Sequence, residues 1–222
     1  MALANYSDLQ TAIANWLSRD GDTSITSRIP DFIAMAEARI TYGSLDQEMP
    51  SDALRIRSME TLNTTLASVA GTSTVALPTG FLAMRRLQVV ANPNDGLEYL
   101  TPAQMDAEYN DSSRTGQPKA YTIEGENFRF GPIPDAIYTF NCLYYQKFAS
   151  LSSASTNWLL TNNPGVYLYG SLVEAAPFIG NDERLQVWYR MYVGLVNSLN
   201  ASDSSDRHAG SLLSMRADTG TP

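Results

Sequence analysis

Two carboxylates, Glu124 and Glu126, stand either side of Gly125. An acid pair is what glycoside hydrolysis needs: one carboxyl donates a proton to the leaving oxygen, and the other serves as base or nucleophile. These two flank a predicted hairpin turn, so both are expected near an exposed loop tip, where burial cannot tune a pKa. Asp20-Gly21-Asp22 has the beginning of a calcium loop. The later oxygen ligands and the closing glutamate are missing, so a turn between two helices is the expected reading. The single histidine, His208, sits in a polar stretch with no orienting partner near it in the sequence. Without a second histidine, no Ser–His or Cys–His nucleophile can be assembled around another residue. One cysteine, Cys142, allows no internal disulfide and no cysteine-based metal site, and is expected as a small buried strand residue. Tyr138, Phe140, Tyr144, Tyr145 and Phe148 could stack a sugar ring, but core or interface packing is the commoner use of such a set. Neither G-x-x-x-x-G-K-[ST], G-x-G-x-x-G nor H-E-x-x-H occurs. No catalytic, cofactor-binding or metal-binding residue is therefore assigned, and the chain is not expected to be an enzyme.

The formal net charge is −8 and the pI near 4.6, with Arg85-Arg86 the densest cationic pair. That balance disfavours a nucleic-acid reader, whose affinity rests on basic patches. Charged residues make up 17% of the 222, low for a globular protein, while hydrophobic residues at 44% are ordinary. Such a polar but weakly charged surface suits a protein packed against copies of itself or against other proteins. No apolar run approaches the roughly 20 residues of a membrane span. The beginning of the chain has no charged and apolar leader pattern, so assembly in a cytosol is expected.

The elements that position these residues fall into four stretches. Leu9, Ala12, Ile13, Trp16 and Leu17 form one apolar stripe, with Ser7 and Gln10 spaced as a capping box. Ile29, Phe32, Ile33, Ala36 and Ile40 form a second, with Gly43 placed to end it. Within this first stretch, residues 1–80, the part after Asp46 turns Thr- and Ser-rich, and 71–78 reads as a short strand before a proline turn. Residues 81–155 are expected to be β-rich: a strand at 84–90, a turn at Asn92–Gly96, Thr101-Pro102 opening a short helix, a hairpin at 121–130 and a strand at 138–148 with large residues on both faces. Residues 156–200 return to helix. Asn163-Pro164 starts one that Pro177 and Gly180 end, and a long one carries Leu185, Trp188, Tyr189, Tyr192, Val193, Val196 and Leu199 on one face. Residues 201–222 are expected as a flexible docking tail whose one apolar cluster is Leu212, Leu213 and Met215. The fold class expected is α+β, mainly α: a helical bundle of the N-terminal hairpin and the two C-terminal helices, with a β-rich insertion.

Several segments in order carry a family likeness. They are "SDLQTAIANWL" with "IPDFIAMAEARI", Pro78-Thr79-Gly80-Phe81, Gly116-Gln117-Pro118 with Tyr121-Thr122, and Phe128-Arg129-Phe130-Gly131-Pro132-Ile133-Pro134. Tyr144–Lys147, Trp158–Leu160, Asn163–Gly170 and Asp182–Arg184 continue the series. Together they resemble the head-to-tail adaptor, or connector, proteins of tailed bacteriophages, of the podophage-like kind. The resemblance implies a structural virion protein of the neck, assembled in the host cytoplasm: a ring, dodecameric in such adaptors, between portal and tail. Its expected partners are itself, the portal protein and a tail or nozzle protein. DNA would pass through its lumen without specific binding, and no membrane or cofactor is expected. On this reading Leu212, Leu213 and Met215 dock to the portal, and Tyr138, Tyr144, Tyr145 and Phe148 lie between subunits. A neck completion or stopper protein stays open as an alternative, as does, more remotely, a carbohydrate-binding module or glycosidase using the β region.

Overall fold

The computed structural model describes residues 3–43, 53–91, 96–111, 113–180 and 183–208. The chain divides into two compact units, one built from its two ends, up to Arg57 and from Ala149, and one from Ser58–Phe148.

The first unit opens with α1 (Tyr6–Trp16), α2 (Thr23–Thr26) and α3 (Ile29–Tyr42). Both predicted stripes are there: Leu9, Ile13, Leu17, Ile29, Phe32, Ile33, Ala36 and Ile40 are buried. Removing one such side chain from water contributes about 1.5–3 kcal/mol. Trp16 is the exception, half exposed with its ring edge-on to Tyr169 at 5.7 Å. The cap of α1 is Asn5 and not Ser7. Its side chain accepts the Asp8 N–H at 3.0 Å, one residue pair earlier than the sequence pattern suggests. Gly43, at φ 86°, ends α3 by donating its N–H to the Arg39 carbonyl.

The second unit holds β1 (Glu60–Ala67), β2 (Thr74–Ala76), β3 (Phe81–Val89), β4 (Glu98–Tyr99), α4 (Pro102–Glu108), β5 (Ala120–Glu124), β6 (Asn127–Gly131) and β7 (Thr139–Gln146). One sheet runs β1-β7-β3 and the other β2-β6-β5-β4; a bridge between Gln88 and Gly96 links the end of β3 to the approach to β4. The strand with large residues on both faces, β7, is central, pairing Leu143 with Leu62 on one side and Arg86 on the other. Both sheets contribute to one core of Leu66, Leu87, Val89, Tyr121, Phe128, Phe130, Phe140, Cys142 and Tyr144. Within it Phe130 and Phe140 stack at 4.7 Å. The ladder between β1 and β7 breaks register between Asn63 and Leu66, where the Asn63 side chain accepts the N–H groups of Thr65 at 2.8 Å and Leu66 at 3.1 Å. Thr101 and Gln104 form the capping box of α4, with Pro102 in its first turn. That helix crosses β6 at Gly131, where a Cβ would lie 2.5 Å from the Tyr109 ring and 2.8 Å from the Met105 sulfur, so only glycine fits.

The chain returns to the first unit as α5 (Leu151–Ala154), α6 (Trp158–Asn162), α7 (Pro164–Ile179) and α8 (Leu185–His208). Buried residues lie all around α7, from Val166 to Ala176, and it contacts α1, α3, α6 and α8. Two glycines let α7 approach its neighbours closely: a Cβ at Gly165 would stand 3.0 Å from Leu195 of α8, and one at Gly170 3.4 Å from Ala36 of α3 and 3.3 Å from the Tyr192 ring of α8. Pro177 does not end the helix, since it falls in the last turn, and Gly180 at φ 85° does. The long helix runs on through Ala201–His208, the beginning of the stretch expected to be flexible.

Candidate functional site

Asp203 explains that extension. Its Oδ1 accepts the Arg57 backbone N–H at 2.9 Å and the Arg57 Nε at 3.1 Å, while its Oδ2 accepts from Arg207 at 2.6 Å. Partial burial works against the carboxylate, but the bonds from Arg57 and Arg207 outweigh it and hold the pKa below the usual value. One turn earlier, Asn200 accepts the Arg55 N–H at 3.0 Å and donates to the Ala53 carbonyl at 3.1 Å. Two polar side chains of α8 thus pin the 53–57 segment, which leads out of the first unit.

The return segment is pinned in the same way. Glu37, buried on α3, accepts the Leu151 N–H at 2.8 Å and the Ser150 hydroxyl at 2.6 Å, closing the start of α5. Tyr167 donates to the same carboxylate at 3.4 Å. The Tyr167 hydroxyl accepts from Asn157, whose own carbonyl caps α6. Burial, with the Glu37 charge adding to it, raises the Tyr167 pKa. These groups are all satisfied by neighbours and hold the fold together.

The acids with catalytic possibilities are placed differently. Glu124 closes β5 and accepts from Arg129 at 2.9 Å; the same guanidinium nitrogen donates to Asp106 at 2.6 Å. Glu126 sits exposed at the hairpin tip. Beside Arg129 lies a cavity of about 130 Å³, lined by Ser73, Tyr109, Asn110, Asp111, Arg114 and Phe130 among others. Arg129 enters it already matched by two carboxylates, so the cavity presents no strong net charge. Asp22 caps α2, accepting the Ser24 hydroxyl at 2.6 Å and its N–H at 3.0 Å. Those two bonds lower its pKa. The Asp20–Asp22 stretch is thus a turn and cap, and no group of three metal-ligating side chains occurs among the described residues.

The aromatic set does not form an outward face. Tyr144 is in the core of the second unit, Tyr145 is buried with the Arg85 guanidinium 5.7 Å above its ring, and Phe148 is buried. Tyr138 packs against the core from its edge and donates its hydroxyl to Asp135 at 2.7 Å. Within one chain, then, Tyr144, Tyr145 and Phe148 are covered, while Thr139, Asn141 and Leu143 on the other face of β7 stay partly open. Cys142 is fully buried beside them, and burial pushes its thiol up to about 11. Leu212, Leu213 and Met215 lie outside the described residues, as do the turn residues Asn92–Asp95.

Sequence reasoning missed the apolar side chains that stay outside. On α8, Val187 is 61% and Met191 48% exposed, both off the buried stripe of Trp188, Tyr192 and Val196. Phe178 of α7 is 53% exposed with its ring 5.7 Å from Phe32, and Met35 of α3 is 43% exposed. Their signal in the sequence is an apolar residue one position away from a stripe already complete without it.

The family model described as SU10 adaptor protein matches residues 4–216. No curated protein matches the chain.

Proposed function

The chain belongs to the SU10 adaptor protein family, a family of phage head-to-tail adaptors, and on that premise we propose that it forms the ring between portal and tail of a virion. The family is one of structural phage proteins and not of enzymes. The proposed ring is dodecameric and continues the DNA channel of the portal. It is assembled in the host cytoplasm and receives a tail or nozzle protein on its far side. The observation that carries this reading is the family match over nearly the whole chain.

Several features support it. With a net charge of −8, a channel wall built from this chain repels DNA phosphates and lets the duplex slide. The pinned segments at 53–57 and 150–151 fasten both chain crossings to the helical unit. The segment after α8 brings Leu212, Leu213 and Met215, an apolar anchor on a polar leash, as the proposed contact with the portal.

Electron microscopy of the purified protein, alone and mixed with portal, tests the proposal. A ring coaxial with the portal is expected. A protein that stays monomeric and joins neither portal nor tail overturns it; a ring that joins the tail alone assigns it to a completion or stopper role instead.

A further inference from the structure

We propose that adjacent copies meet by a head-to-tail helix contact, in which the outer face of α8 around Val187, Met191 and Gly194 seats against Met35 and Phe178 of the next copy. The inference rests on the ring reading and names the surface that builds the ring.

Large apolar side chains left between about two-fifths and three-fifths exposed in a group mark a contact surface, and the first unit has two such groups on different helices. The first is on α8, where Val187 and Met191 are one turn apart. The second spans α3 and α7. Met35 lies one turn from Arg39, which bonds Glu174 of α7, and Phe178 lies one turn beyond Glu174. Met35 and Phe178 therefore border the same α3–α7 seam.

The charges beside the two groups are opposite. Arg190 lies between Val187 and Gly194 on the outer face of α8, exposed and with no ion-pair partner among the described residues. Asp31 lies one turn before Met35; its only ion-pair contact among the described residues is Arg28 at 3.5 Å, and both side chains are 60% exposed. A cation beside one apolar group and a loosely held anion beside the other suit a contact between unlike surfaces. Unlike surfaces on one chain associate head to tail, and that geometry closes into rings.

Gly194 is the independent mark. It stands in the middle of a 24-residue helix, is exposed, and a Cβ built on it meets nothing within 4 Å. No neighbour inside the chain demands glycine there, although glycine weakens a helix interior. Close approach of another molecule's helix supplies the missing reason.

The test uses the full chain. In the double variant Met35→Cys/Met191→Cys, mild oxidation is expected to give a ladder of covalent multimers up to ring size, while each single variant stays monomeric on a non-reducing gel. The native Cys142 is buried and does not interfere. Gly194→Leu is expected to keep its helical circular dichroism, with a monomer thermal midpoint no lower than the parent's, while raising the concentration for half-assembly by about tenfold or more, as for a central interface position. Covalent dimers from either single variant indicate a two-fold contact and overturn the proposal. Rings that persist in Gly194→Leu with no ladder from the double variant overturn it while leaving the ring reading intact. Absence of rings in the unmodified protein defeats both.

Discussion

Asp203 and Arg57 are 146 residues apart in sequence, and the aspartate accepts both the backbone N–H and the side-chain Nε of the arginine. The carboxylate is nearly buried and the arginine half exposed. Losing the carboxylate therefore leaves a backbone donor at the exit of the helical unit without its partner. Asp203→Ala is expected to lower unfolding free energy by about 1–3 kcal/mol, read from urea denaturation. An unchanged midpoint would mean that water replaces the carboxylate at no cost.

Acid tests the same contact from the other side. The folded pKa of Asp203 is lowered, against its partial burial, by the bonds from Arg57 and Arg207. A depressed pKa means stability that is fully present above the unfolded carboxylate range, near pH 4, and lost as pH falls through the lower folded value. The difference in stability between the parent protein and Asp203→Asn is expected to be constant from pH 7 to about 5 and to shrink below about 4. A difference that grows on acidification contradicts the assignment.

Two truncations separate folding from docking. Removal of residues 201–222 takes away Asp203 and Arg207 and is expected to lower the melting temperature. Removal of 209–222 leaves both in place. It is expected to keep the melting temperature and to abolish portal binding if Leu212, Leu213 and Met215 are the anchor.

Gly131→Ala is expected to destabilise the β-rich unit by about 1–3 kcal/mol, because the added methyl meets the Tyr109 ring and the Met105 sulfur from two sides. Near-ultraviolet circular dichroism, which reports Tyr109 and its neighbours, is the measurement. At Gly194, where the space is open, alanine is expected to do the opposite and stabilise the monomer by about 0.5–1 kcal/mol.

Cys142 offers a probe of intactness. With full burial and a thiol pushed up to about 11, it is expected to resist a thiol reagent at pH 8 and to react fully in denaturant. Labelling of the native protein within minutes would mean that the second unit opens locally.

What could be read from the chain, and what could not, follows from where each signal resides. Ile29, Phe32, Ile33, Ala36 and Ile40 announce their helix because one buried face imposes a 3.6-residue period. The hairpin of Tyr121–Ile123 and Phe128–Phe130 announces itself by alternation around a glycine turn. In β1 only Leu66 is buried, so no alternation shows, and its register partner is the distant Phe140. Ala201–His208 has no apolar stripe at all; it is helical because Asp203 meets a distant segment. The aromatic residues of β7 were legible as strand residues. Whether a neighbour copy or the chain itself covers them depends on the placement of β5 and β6, which no local pattern states.

Asn63 has one more consequence. The strand it interrupts is the outer member of its sheet, and an outer strand presents free peptide groups to any passing strand. Such an edge carries the hazard of open-ended edge-to-edge aggregation at high protein concentration. By taking up the N–H groups of Thr65 and Leu66 with its own side chain, Asn63 breaks the regular run of the strand at that point. Replacement by valine would restore a flat, β-branched edge. The harm would then show in soluble yield during overexpression.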